Sequence, residues 1–314
     1  MMSEKRPFRF GVVTGGAPTR AEWLAPIRKT EELGYATLLL TDHFVNDFPP
    51  LIPLMAAADA TRTLRVGTFV FNNDFRHPAL LAKEIAVLDL LSEGRVELGI
   101  GAGWNQIEYQ QVGLPFDEPG ERIQRLAEAI QILKQFFTED KVNFSGQHYT
   151  INDLLTLPKT VQKPHPPVFT GGGGKKLLSL AAREADIIGI HFKAGKDGRT
   201  DPFEHTAEAV AKKVAWVRQE AGERFPAIEL NMLIRSVVIT DHRQQAAEEY
   251  MRSHSRLQLS AEQHLADPYL LFGSVEQMVE QLQRTREQFG ISYFVIGDDS
   301  MEAFAPVVAR LAGK

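Results

Sequence analysis

Cysteine is missing from all 314 residues, which removes disulfides, iron–sulfur clusters, thiolate zinc sites and a cysteine nucleophile. No apolar run approaches the ~18 residues of a membrane span, and residues 1–10 are polar and basic with no apolar core, unlike a signal peptide. Positive charge is short as well. With 35 Lys+Arg against 40 Asp+Glu the net charge is −5, which argues against a general nucleic-acid surface. Neither His-x-His nor HExxH occurs, so converging metal ligands are not expected. The remaining composition, 44% hydrophobic and 24% charged, is that of an ordinary water-soluble chain, and a cytoplasmic location is expected.

Short apolar runs alternate with helical spacing from end to end. Runs at 9–14, 36–40, 65–71, 96–100, 168–170 and 187–191 read as strands, followed by one within 229–240 and one at 293–296. Between them, helices are predicted over 21–33, 53–61, 78–91, 118–137, 176–184, 204–220 and 275–289, with a last one after Ser300. Eight strands each followed by a helix is the count of a (β/α)8 TIM barrel. Continuous apolar strands such as Leu38-Leu39-Leu40 suit a parallel sheet buried on both faces. A doubly wound open sheet is the alternative, but no early nucleotide turn accompanies it. Residues 138–167 and 242–274 exceed the repeat and read as insertions before strands five and eight, within one domain spanning 1–314.

In such a barrel the chemistry sits at the C-terminal strand ends. Those ends collect Gly15-Gly16, Asp42-His43, Asn72-Asn73, Gly101 to Trp104, Gly171 to Gly174, His191 to Lys193, and Gly297-Asp298. Glycines and amides dominate, which suits a flat cofactor held by backbone groups better than a metal. Gly99-Ile-Gly101-Ala-Gly103 is not a dinucleotide fingerprint, and Gly174-Lys175-Lys176 lacks the rest of a P-loop. Four glycines at a strand-to-helix junction let an anion approach backbone N–H groups at a helix N-terminus; a tightly packed turn is the competing explanation. Lys175, Lys176, Lys193, Lys196 and Arg199 cluster nearby and would steer an anionic ligand. His43, beside Asp42, is the only imidazole ending an early strand; it is either a general acid–base or a structural histidine.

Several of these segments together resemble the luciferase-like monooxygenase superfamily, particularly its deazaflavin-dependent oxidoreductases. They are Leu40-Thr-Asp-His-Phe44, 67–78 (GTFVFNNDFRHP), 94–104 (GRVELGIGAGW) with Glu108-Tyr109 behind it, 161–167 (VQKPHPP) before Gly171-Gly172, and Leu271-Phe-Gly-Ser274. The resemblance covers nearly the whole chain. It implies a homodimeric TIM barrel with insertions that binds coenzyme F420 or FMN at its mouth and transfers hydride to or from a small organic molecule. It further implies His43 as the catalytic group, with Asp42 lining the pocket. It puts a cis peptide at Phe69–Val70, Asn72 facing the ring, Gly101, Gly103 and Trp104 at the ring edge, Gly172 and Gly173 at the phosphate, and His191 beside the cofactor. An FMN-dependent monooxygenase is the alternative, and a flavin-binding barrel relative without turnover a further one. There is one departure. Sugar-phosphate and secondary-alcohol dehydrogenase members carry a glutamate after the strand-four glycines and a tryptophan after the Asp-His pair. Those places hold Trp104 and Asp47 here, so the usual acid partner is expected to be lost and those substrates with it.

Overall fold

The computed structural model describes residues 6–46, 48–193, 200–254 and 258–314; Asp47, Lys196 and Arg199 lie outside them. The first half runs β1 (Arg9–Thr14), α1 (Arg20–Glu32), β2 (Thr37–Leu40), α2 (Leu51–Ala60), β3 (Arg65–Thr68), β4 (Phe71–Asn72), α3 (Pro78–Leu91), β5 (Val96–Gly101), α4 (Gln106–Gln111) and α5 (Pro119–Thr138). After it come β6 (Lys141–Ser145), β7 (Thr150–Leu155), β8 (Val168–Gly172), α6 (Lys175–Glu184), β9 (Ile187–Ile190), α7 (Ala207–Ala221), β10 (Glu229–Leu233) and β11 (Ser236–Ile239). The chain ends with α8 (Arg243–Ser253), α9 (Ala261–Ala266), β12 (Leu270–Gly273), α10 (Val275–Phe289), β13 (Ile291–Gly297) and α11 (Met301–Leu311). Strands hydrogen-bond in the order β3-β2-β1-β13-β10-β9-β8-β5, and β3 also pairs with β5, so the parallel sheet closes as a (β/α)8 barrel.

Contacts gather the chain into two compact units. The first comprises Met1–Val13, Thr30–Ala36 and Gly171–Lys314. Its core stacks Phe8, Phe10 and Phe294, with Phe304 edge-on to Phe10, all at most 2% exposed. The second comprises Thr14–Lys29 and Thr37–Thr170. There Leu38, Leu39 and Leu40 are at most 2% exposed, as strands covered on both faces must be. Glu97 points from β5 into that interior and is held by Arg65 Nε at 2.9 Å, since a buried carboxylate needs a charged or hydrogen-bonding partner.

Two sequence expectations change in detail. The third strand is not continuous over 65–71: it breaks into β3 and β4 around a cis Phe69–Val70 peptide. The stretch 229–240 divides between β10 in the barrel and β11, which pairs in parallel with β12 in a separate two-stranded sheet. Both expected insertions are present as structure. The one before the fifth barrel strand is the antiparallel hairpin β6–β7, and the one before the eighth carries α8, α9 and β12.

The turn of the hairpin is fastened to α5 chiefly by one carboxylate, with Glu121 a second at 3.6 Å from His148 Nδ1. Glu128 accepts N–H groups from Gln147, His148 and Tyr149 at 2.7, 2.9 and 3.1 Å. Burial works to raise its pKa, but those three donors outweigh it and hold the group below its ordinary value. A carboxylate lowered in the folded state stabilises above its unfolded pKa, and that contribution is lost as pH falls through the folded value. We expect amide exchange at residues 147–149 to accelerate as pH drops below the usual glutamate range, relative to amides in α5. In Glu128→Gln the pH dependence should vanish, with roughly 1–3 kcal/mol of local stability lost at neutral pH.

Candidate active site

The second unit gathers most of the expected residues. Asp42 and His43 follow β2, Asn72 ends β4, and Gly101 to Trp104 follow β5, so parallel strands deliver all of them to the same side of the sheet. Asp42 ties two of these ends together. Its carboxylate accepts the Asn72 backbone N–H at 2.9 Å and both terminal nitrogens of Arg76 at 2.5 and 3.1 Å. Bidentate pairing of this kind fixes direction as well as charge. Asp42 therefore fixes the spacing of these two strand ends and has its own charge neutralised.

His43 has a partner that sequence reasoning did not assign. Its Nδ1 lies 2.9 and 3.0 Å from the two carboxylate oxygens of Glu108, and the Phe44 N–H donates to the same group at 3.1 Å. Glu108 is 2% exposed, on α4. The acid partner expected to be lost with the change to Trp104 is thus supplied four residues later, from the first turn of α4. The signal was the Glu108-Tyr109 pair itself: a carboxylate in a short helix directly after a glycine-rich strand end. With Nδ1–H donating to Glu108, the imidazole presents Nε2 as a lone-pair acceptor, and Nε2 has no hydrogen-bond partner among the described residues. That carboxylate–imidazole order is the arrangement of a general base held in one tautomer.

Asn72 is 7% exposed, and its Oδ1 accepts from the Asp74 N–H at 3.1 Å and the Tyr109 hydroxyl at 2.9 Å. Burial, and then the Asp74 carboxylate, hold the Tyr109 phenol above its ordinary pKa, so it remains a donor. The Asn72 Nδ2 group is left as a donor with no partner among the described residues. Glycine is required alongside it: a Cβ at Gly101 would sit 2.7 Å from Val70 Cγ2, and one at Gly103, where φ is +72°, would strike the Tyr109 hydroxyl. Phe69 and Val70 are partly exposed, and the Phe69 ring meets Phe169 edge-on. Trp104 stands 71% exposed, edge-on to His43 with ring centres 5.6 Å apart.

The first unit contains the remaining expected residues, Gly172, Gly173 and His191. The four glycines have different causes. A Cβ on Gly171 would run into the Gly189 backbone, one on Gly173 into the backbone of Phe192 and Lys193, and one on Gly172 would lie 2.8 Å from Leu177 Cδ2. Only Gly174 faces open space, as the N-cap of α6. That helix has no side-chain cap and no acidic residue in its first turn, which instead starts Lys175-Lys176. Lysines beside the positive end of a helix dipole are unfavourable unless an anion joins them. His191 is held down to about pKa 4, chiefly by burial and then by Arg235, Lys213 and His205, so it meets any ligand as a neutral ring. Among the described residues no group of three or more His, Asp or Glu side chains gathers to hold a metal.

Comparison with known proteins follows this geometry. The profile of the luciferase-like monooxygenase family matches residues 6–301. An FMNH(2)-dependent dimethylsulfone monooxygenase of Pseudomonas putida is 38% identical over 155 residues, 49% of this chain and 39% of that protein. An F420-dependent glucose-6-phosphate dehydrogenase of Amycolatopsis mediterranei is 29% identical over 295 residues, 89% of this chain and 81% of that protein. The chain spans about half the length of several other curated relatives it matches. Among solved structures, the coenzyme F420 dependent tetrahydromethanopterin reductase from Methanopyrus kandleri superposes with a TM-score of 0.79 at 17% identity, covering 98% of this chain and 99% of that one. At that identity the likeness is one of fold.

The glycine run generates a stability test. Gly173→Ala forces backbone apart and should cost roughly 1–3 kcal/mol, whereas Gly174→Ala meets nothing and should cost less than about 1 kcal/mol. Urea unfolding of the two variants checks the order; equal losses would show that the run is not packed as described.

Proposed function

The chain belongs to the luciferase-like monooxygenase family, and from that premise we propose that it is an oxidoreductase transferring hydride between coenzyme F420 and a small organic substrate. The observation that carries the catalytic part is the His43–Glu108 pair with its free Nε2. The same pair weighs against a binding protein without turnover, because nothing about ligand binding alone requires an oriented imidazole. The F420-dependent relatives support the choice of cofactor, one of them over most of both chains.

The residues fit such a group. Bound here, the deazaflavin supplies the hydride donor or acceptor carbon. In the second unit the Asn72 Nδ2 donor, the glycine backbone at 101 and 103 and the exposed edges of Phe69 and Val70 would hold its ring, with Asp42 fixing their spacing. In the first unit, taken by itself, the open N-terminus of α6 at Gly174, with Lys175 and Lys176, is suited to a phosphate, and His191 offers an uncharged surface. His43 Nε2 accepts the proton from a substrate hydroxyl as its carbon loses hydride, and returns it in the reverse direction. Glu108 holds the tautomer and stabilises the imidazolium that forms. The reading treats residues 1–314 as one catalytic domain, in the cytoplasm, with no nucleic-acid partner. Identity with the FMNH(2)-dependent monooxygenase favours FMN as a second reading of the same site.

A homodimer belongs to the same proposal. Helix α3 exposes Leu80, Val87, Leu90 and Leu91, and α2 exposes Ile52, an apolar stripe that a second copy would cover.

Titrating the protein with F420 and with FMN tests the cofactor directly; tight FMN binding with no F420 binding would falsify the first reading. With the preferred cofactor, His43→Ala should leave its affinity almost unchanged while turnover falls roughly 10²- to 10⁴-fold. Glu108→Gln should lower turnover and distort its pH profile. For assembly, Val87→Lys combined with Leu91→Lys should halve the mass seen by light scattering without lowering secondary-structure content.

A further inference from the structure

Helices α7, α8, α9 and α10 of the first unit enclose a cleft of about 210 Å³ whose residues the proposed function does not use. Its walls include Arg243 from α8, Arg284 and Gln288 from α10, and Ala207 from the first turn of α7. Among the described residues no Asp or Glu lines it. Both guanidiniums stay charged at any pH the protein meets. Arg243 commits one nitrogen to a carbonyl, Nη2 donating to Leu265 at 3.0 Å, while its Nε is out of water and donates to nothing among the described residues. An N–H left in that state is costly until an acceptor reaches it. Arg284 is exposed and makes no ion pair or hydrogen bond among the described residues.

The neighbouring polar groups are already engaged. Gln281 Nε2 donates to the Leu270 carbonyl at 2.8 Å, and Thr285 Oγ1 to the Gln281 carbonyl at 2.9 Å. Asp267, which follows Ala266 in the cleft wall, is 0% exposed and accepts from His205 Nδ1 at 2.8 Å and the Tyr269 N–H at 2.9 Å. Its charge is therefore held inside and does not reach the two arginines.

We propose that this cleft binds an oxyanion of phosphate size, free or as the end of a monoester, between Arg243 and Arg284. The volume lies below the ~300–1,000 Å³ of pockets that enclose a drug-sized ligand, and two cations with no counter-charge favour an anion over a neutral body. An oxyanion offers several acceptor oxygens, so one can take the Arg243 Nε proton while others meet the Arg284 fork. Ala207 brings the positive end of the α7 dipole to the same place. Neither arginine is among the residues assigned to the cofactor. A bound anion would also tie the end of α9 to α10. That end leads directly into Asp267, and the His205 ring held by Asp267 stacks on Phe192 with centres 5.2 Å apart, so occupancy steadies the segment that holds His205 in place.

Inorganic phosphate is the probe, with sodium chloride at matched ionic strength as the control. Phosphate should slow amide exchange over residues 265–269 and 281–288. Arg284→Gln, a change at an exposed side chain that leaves the packing alone, should raise the phosphate concentration giving half-protection roughly tenfold, and Arg284→Lys should stay within a few-fold of wild type. Arg243→Gln removes the buried Nε and should abolish the protection. Lys175→Gln combined with Lys176→Gln alters the other place suited to an anion, at the start of α6, and should leave protection of 281–288 intact. Phenyl phosphate acting at lower concentration than phosphate would identify a monoester as the ligand, and equal concentrations the free ion; either supports the site. Three results would overturn it: no slowing at 281–288, slowing that sodium chloride reproduces, or slowing that persists in Arg284→Gln but disappears in the double lysine variant.

Discussion

A carboxylate at 2% exposure cannot be left without partners, and Glu108 has two: the imidazole of His43 and the N–H of Phe44. Much of the second unit is arranged around that requirement. The end of β2 must bring His43 to α4, and α4 must begin soon enough after β5 to reach back. Asn105 makes that start, capping the helix through the Ile107 N–H at 3.2 Å. Gly103 makes the preceding turn possible at φ +72°, and a side chain there would displace the Tyr109 hydroxyl from Asn72. Thus the short stretch from Gly101 to Tyr109 orients the His43 imidazole, satisfies the buried acid and holds the Asn72 amide.

The electrostatic consequence is a site with little net field in this unit. Asp42 is neutralised by Arg76, Asp74 by Arg125, and Glu108 shares its charge with an imidazole. Cations in the first unit follow a different plan. Lys175 and Lys176 are exposed at the uncapped start of α6, where a bound anion is favoured by both the dipole and the side chains. Orientation in the one and attraction in the other are separate tasks, and the residues that perform them do not overlap.

Periodicity made the barrel legible because each strand is a short apolar run and each helix a clear stripe; α3 and α10 begin and end where spacing and caps place them. The strand-end positions of His43, Asn72 and Gly101 followed from that alternation. Three things did not. The break at Phe69–Val70 came from resemblance, because an apolar run carries no mark of an interruption. The division of 229–240 into β10 and β11 depends on β12, a partner more than 30 residues away. Above all, the acid partner was sought at the position of Trp104 in the loop after β5, whereas the carboxylate sits four residues onward, in the first turn of α4 at Glu108.

That displacement separates two properties that a glutamate at position 104 would join. A carboxylate at position 104 would stand where the Trp104 ring is 71% exposed, and its charge would face outward. A carboxylate at 108 is buried behind His43, where it can set the tautomer and support the imidazolium without presenting charge to the mouth. The strand end is then free to carry an indole. The His43–Glu108 pair is fixed by its own hydrogen bonds, and the Trp104 ring stands 71% exposed beside it, so the ring can change while the pair stays fixed. A barrel whose strand ends set the base and whose next residues set the rim can change substrate without rebuilding the step that moves the proton.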